Sequence, residues 1–201
     1  GEVQPISTHD QVLGGPDQQV YLGCTFPARD PYRRRIQDEA VKVGEVLARH
    51  GVVSRFAVDF LLYRDTPEQD WNLSALEINL RMGGTTHPYL ALRFLTGGSL
   101  DPSSGLFYSA RGLAKYYRAT DNLRSPAYRG LLPEDLIDIL TENRLHYGHS
   151  SDSGVLFHMI GAVSEFGKLG LTAFGNSPEE ADGLYERTIA ILDRETDYGR
   201  D

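Results

Sequence analysis

The 201-residue chain predicts an α+β fold: a mixed or antiparallel sheet with helices, followed by a small C-terminal α/β lobe. Three observations lead there. Strand-like runs come in neighbouring pairs joined by turn residues, which suits hairpins better than strict alternation with helices. Two long stretches repeat apolar residues at helical spacing. After a polar run at 146–154 the pattern restarts as a hairpin and a helix. Residues 1–130 are therefore expected to form one subdomain, and 131–201 a linker helix with the small lobe.

Taken in order, 1–27 read as two strands, EVQPISTHDQVLG and QVYLGCTFPA, around the turn Gly14-Gly15-Pro16-Asp17. The chain enters this pattern directly, as a fragment would whose earlier strands lie elsewhere. In 31–50, Ile36, Ala40, Val43 and Leu47 recur every three or four residues and Gly51 follows as a C-terminal cap, predicting a helix. Strands are expected at 52–64 and 72–80, and a helix at 88–96 with Pro88 in its first turn. Residues 99–130 show no clear period. PEDLIDILTENR (133–144) predicts a short helix, and HYGHSSDSG (146–154) a linker. The tail reads as a hairpin turning at Gly167-Lys168. A helix follows, with Ser177 at its N-cap, Pro178 first, and Glu179 and Glu180 against the dipole.

Composition narrows the function. The net charge of -8 excludes a general nucleic-acid binder. No apolar run is long enough for a membrane span, no signal peptide is visible, and Cys24 is alone, so a cytoplasmic location is expected. Cys24 lies in an apolar run and reads as packing.

RFAVDFLLYRD (55–65) and NLSALEINLR (72–81) carry the chemistry. A symmetric hairpin pairs positions summing to about 136, setting Asp59 opposite Glu77, Ala57 opposite Asn79 and Arg55 opposite Arg81. One face then holds Phe56, Val58, Phe60, Leu62, Leu76, Ile78 and Leu80, a surface for a core. The other holds Arg55, Asp59, Glu77, Asn79 and Arg81. Opposed carboxylates repel unless a cation sits between them, and Mg²⁺ takes carboxylate and amide oxygens together with nucleotide phosphates. Arg55 and Arg81 suit an oxyanion, carboxylate or phosphate. Gly83 and Gly84 permit close backbone approach, and Thr85 and Thr86 open a helix whose N–H groups favour anions. A solvated ion-pair face has the same alternation. The amide two residues after the Glu and the Gly-Gly-Thr-Thr turn weigh against it.

At these residues the sequence resembles the ATP-grasp enzymes, whose VDF and E-x-N strands supply Mg²⁺ ligands; the match falls on Asp59, Glu77 and Asn79. Arg55 resembles the arginine preceding the family's metal-binding Asp, and Arg81 the substrate arginine of the N-x-R motif. More narrowly, STHDQVL, AVDFL and EINLRMGGTTHP are similar to the pheganomycin-type peptide ligases. The tail GVLFHMIGAVSEFGKLGLTAFGNSPEEA resembles their small C-terminal domain. The resemblance implies an ATP- and Mg²⁺-dependent ligase joining a peptide or amino-acid carboxylate to an amine through an acyl phosphate. It implies Arg55 and Arg81 as catalytic groups, with Gly83, Gly84, Thr85, Thr86 and His87 toward the cofactor. The family's glycine-rich loop and phosphate-binding lysine are not recognisable in residues 1–30. The N-terminal half of the same ligase is therefore an expected partner, and this chain by itself is expected to be inactive. Competing readings are a divalent-metal phosphohydrolase or nuclease and a non-catalytic truncated module; an open cleft half would also favour a homodimer.

Elsewhere, His9 and Asp10 fit the cleft or a strand edge, and His87 a cap or a substrate contact. His146 and His149 fit a solvated loop. His158 fits a hydrogen-bonded core histidine, and Ser150, Ser151 and Ser153 lack a triad's base.

Overall fold

The structure is a computed structural model that describes residues 1–197. Its strands are β1 (Asp10–Gly14), β2 (Val20–Phe26), β3 (Ala57–Tyr63), β4 (Asn72–Asn79), β5 (Ser99–Asp101), β6 (Leu106–Tyr108), β7 (Ala114–Arg124), β8 (Gly154–His158) and β9 (Lys168–Gly175). The helices are α1 (Asp30–Arg49), α2 (Thr86–Thr96), α3 (Pro133–Glu142), α4 (Val163–Phe166) and α5 (Pro178–Asp197). All ladders between named strands are antiparallel, so the predicted fold class holds.

β7 is the hub of a seven-stranded sheet. It pairs with β2 through Cys24↔Ala119, with β6 through Phe107↔Lys115, and with β9 over most of its length. Side-chain alternation along β7 and β9 divides two cores. Tyr117, Ala119 and Phe174 face α2 with Phe26, Tyr89, Leu92 and Phe107. Leu169, Leu171 and Ala173 face α3 and α5 with Leu136, Ile139, Tyr185 and Leu192. Covered on both sides, β9 is buried along nearly its whole length. Because β9 lies along β7, sheet hydrogen bonding runs across the boundary expected at 130/131.

β7 is the element that sequence reading lacks. AKYYRATDNLR alternates between apolar and polar positions only in part, and Lys115 interrupts it. That lysine is fully buried, donating to the Asp152 backbone carbonyl and to Asn176 Oδ1. The polar run 146–154, expected as a linker, is instead a compact loop: Asp152 N–H donates to Gly148 O (2.8 Å), Gly148 N–H to Ser153 O (2.9 Å). That fold of the loop presents the Asp152 carbonyl, which buried Lys115 requires as an acceptor. The first strand is shorter than expected, because residues before Asp10 run as an irregular extended segment. The tail helix is capped as predicted, with Glu180 N–H donating to Ser177 Oγ at 3.2 Å.

β3 and β4 form a separate two-stranded sheet, held on one side by α1, where Ala28, Tyr32 and Ile36 meet Phe60, Leu62, Trp71 and Leu73. No described helix is long and apolar enough to cross a membrane.

Candidate active site

The hairpin brings Ala57↔Asn79, Val58↔Ile78 and Asp59↔Glu77 into register, as the symmetric alignment requires. Past Asp59 the register shifts: Phe60 pairs with Ala75 and Leu62 with Leu73, leaving Leu76 as the extra residue. That bulge corrects the expected apolar face. Leu76, Ile78 and Leu80 are 66%, 46% and 57% exposed, and from β4 it is Leu73 that packs against α1, beside Trp71. The Arg55–Arg81 pair also lies outside the ladder, which ends at Ala57↔Asn79.

Asp59 and Glu77, directly opposite on neighbouring strands, share one face. The Asp59 carboxylate accepts from Gln11 Nε2 (3.2 Å) and Asn79 Nδ2 (3.3 Å). Partial burial pushes the Asp59 carboxyl above its ordinary range and the Glu77 carboxylate adds to this, while Arg81 and the Asn79 amide pull it back. Two carboxylates in mutual repulsion with an amide beside them are a hard-oxygen donor set, and they fit Mg²⁺. Among the described residues no group of three or more His, Cys, Asp or Glu side chains gathers in metal-binding geometry, which gives the hydrolase reading no third acidic or imidazole ligand.

A cleft of about 720 Å³ runs between the hairpin, α1 and the N-terminal segment; its lining includes Arg55, Asp59, Glu77, Arg81, Gly83, Thr85 and Thr86. Among the described residues neither Arg55 nor Arg81 makes an ion pair within 4.0 Å. Two unneutralised guanidinium groups at one cleft attract an anion. The turn before α2 is closed on itself: Gly83 N–H donates to Thr86 Oγ1 (3.1 Å) and Thr86 N–H to Gly83 O (3.0 Å). That leaves Gly83 N–H and the Thr86 hydroxyl engaged within the turn.

Gly84 and His87 do not line the cleft. A Cβ on Gly84 would lie 3.0 Å from the Tyr21 ring, so this glycine seats the turn on β2. His87 packs on His158 of β8, ring centroids 4.0 Å apart. His158, expected to be hydrogen-bonded, has a buried Nε2 with no protein partner. His9 does line the cleft. Its Nε2 is 2.6 Å from Tyr117 Oη, and its ring tilts against Phe26 and Tyr117. Asp10 also lines the cleft, and its carboxylate accepts from Tyr32 Oη (2.8 Å) and Arg29 N–H (3.1 Å). Gln11 is the site residue that sequence reading lacks; its place in STHDQVL was visible, but its contact with β3 depends on how β1 lies in the fold. His146 and His149 are exposed, as expected.

Burial holds the His158 ring down to about 4, with His87 adding to it, and holds His9 down to about 3. Both are neutral in the fold but protonate near 6.5 when unfolded, so below that pH the unfolded chain binds more protons and stability rises with pH. Resistance to urea should therefore fall progressively from pH 6.5 toward 4. His158→Phe should flatten that dependence by close to one proton, read from the slope of stability against pH.

Residues 135–188 match the PGM1 C-terminal domain. The chain is 34% identical over 192 residues to an L-propargylglycine–L-glutamate ligase of Streptantibioticus cattleyicolor. The chain is similar to a peptide ligase over nearly its whole length. The aligned region is 96% of this chain and 38% of that ligase, so the chain spans well under half of its relative. The resemblance read from the motifs is borne out, and the tail motif falls inside the matched C-terminal domain. No solved structure matches.

Proposed function

We propose that the chain carries the metal-binding portion of an ATP-dependent ligase that joins an amino-acid or peptide carboxylate to an amine. The observation that carries this reading is the opposed pair Asp59 and Glu77 on a cleft that also holds Arg55 and Arg81, with Asn79, which does not itself line the cleft, donating to Asp59. The similarity to an amino-acid ligase favours amide formation over hydrolysis.

In this reading the substrate carboxylate oxygen bonds the terminal phosphorus of ATP as ADP leaves. The amine nitrogen then adds to the acyl carbon, loses its proton, and phosphate departs. Asp59, Glu77 and Asn79 would hold Mg²⁺, which supplies neutralisation of phosphate oxygens when bound. Arg55 and Arg81 orient the carboxylate and stabilise the oxyanion formed by amine attack, neither guanidinium being held in an ion pair within 4.0 Å among the described residues. Gln11 keeps the Asp59 carboxylate turned to the hairpin face. Gly83, Thr85 and Thr86 of the turn border the same cleft as Arg81. Further ligase sequence would supply the opposing wall of the nucleotide site.

Calorimetry tests this directly. Mg-ATP should bind at least about tenfold tighter than Mg²⁺ alone, a difference of about 1.4 kcal/mol. Equal binding of Mg²⁺ with and without nucleotide would favour a metal hydrolase, and a silent titration in both would remove the ligase reading.

A further inference from the structure

We infer that His158 of the C-terminal lobe is a positioning residue for the Gly83–His87 turn, so that the segment matching the PGM1 C-terminal domain helps build the active site. The inference rests on the ligase reading for its functional meaning, and on packing geometry for its structural content.

The turn has two supports. On one side Gly84 lies against the Tyr21 ring, which a Cβ there would crowd at 3.0 Å. On the other, His87, the first residue beyond the Gly-Gly-Thr-Thr run, meets the His158 ring at 4.0 Å and an interplanar angle of 56°. His158 pairs with Gly170 across β8 and β9. Its ring lies over that glycine so closely that a Cβ on Gly170 would sit 1.9 Å from Nε2, and the three nearest atoms to that Cβ all belong to His158. The imidazole is thus wedged between β9 and His87. Its buried Nε2 donates to and accepts from no protein group, so no hydrogen bond explains its placement there. Packing does, and the group it packs on is the residue that ends the turn.

A hydrogen-bonded core histidine would fix only the lobe. A wedged ring in contact with His87 fixes the start of α2, and with it the turn that borders Arg81 and the Asp59–Glu77 face. The lobe and the cleft are then mechanically one unit.

Hydrogen exchange on the 201-residue protein tests the structural content without nucleotide. His158→Ala should speed exchange at the Gly83 and Thr86 amides, the two that the turn's hydrogen bonds protect, by about tenfold, leaving those of α5 unchanged. His158→Phe, which keeps a flat ring in place, should restore wild-type exchange. Gly170→Ala supplies an independent measure: its destabilisation should be large in the wild-type background and nearly vanish beside His158→Ala, the coupling expected of a shared contact. Unchanged exchange in His158→Ala, or equal cost of Gly170→Ala in both backgrounds, overturns the proposal. Calorimetry with Mg-ATP on the same proteins separates the two claims. Weaker binding in His158→Ala that recovers in His158→Phe supports both. A loosened turn with no nucleotide response in any of the proteins supports the wedge and overturns the ligase reading.

Discussion

Glu77→Gln should make the protein more stable without metal and abolish its response to Mg²⁺. Glu77 stands directly opposite Asp59, whose carboxyl is pushed up by partial burial and by that neighbouring charge. Relieving a cross-strand like-charge pair recovers about 0.2–1 kcal/mol, or about 1–4 °C in melting temperature for a chain of this size. The wild type should gain more than this from Mg²⁺: at ten times the dissociation constant a bound cation adds about 1.4 kcal/mol. Thermal melts in EDTA and in Mg²⁺ would therefore cross, the variant being the more stable in the first and the less stable in the second. In a complete ligase with the same substitution, amide formation should fall on the order of 10³-fold. An ion-pair face with no ligand to hold would behave differently. Glu77→Gln would then lower stability through the lost attraction to Arg81, and Mg²⁺ would act equally on both proteins. The two accounts predict opposite signs in EDTA, so one pair of melts decides between them.

The hairpin was legible because its signal is local. Alternation with a period of two fixes which side chains share a face, and the pairing of Asp59 with Glu77 follows from the loop between them. The bulge at Leu76 was not legible, since nothing in ALEIN marks one residue as extra; the choice is made by α1, against which Leu73 packs with Phe60 and Leu62 while Leu76 and Ile78 stay exposed. The hub strand β7 was hidden for a related reason. Its composition answers to β2 and β9, far away along the chain, and to the 146–154 loop, whose Asp152 carbonyl takes Lys115 as a buried donor. Gln11, Tyr21 and His158 reach the site through that sheet, so their roles depend on contacts that no local period encodes. The supports of the Gly83–Thr86 turn lie 60 or more residues away on either side of it, and only the fold brings them there.

Gly23→Ala should destabilise the protein strongly for a single added methyl group. Gly23 lies in β2 where that strand meets β7: its neighbour Cys24 pairs with Ala119, and Thr120 Oγ1 donates to the Leu22 carbonyl. A Cβ at Gly23 would stand 2.1 Å from the Ala119 carbonyl oxygen and 3.1 Å from Thr120 Cα. These are backbone atoms of the hub strand, already fixed on their other edge by β9, so they cannot yield as the end of a flexible side chain would. β2 must move instead. The displacement separates Cys24 and Phe26 from the α2-side core and carries β1 with it, along with the Gln11 contact to Asp59. A cost of about 3 kcal/mol or more follows, which lowers the melting temperature by about 6–12 °C. Gly183→Ala is the matching control. Gly183 sits on the exposed side of α5 with nothing within 4 Å of a built Cβ, and there the same methyl should stabilise by up to about 1 kcal/mol through helix propensity. If both substitutions shift the melting temperature alike, the close approach of β2 to β7 is not the packing constraint described, and the seating of Tyr21 beneath the Gly83–Thr86 turn loses its support.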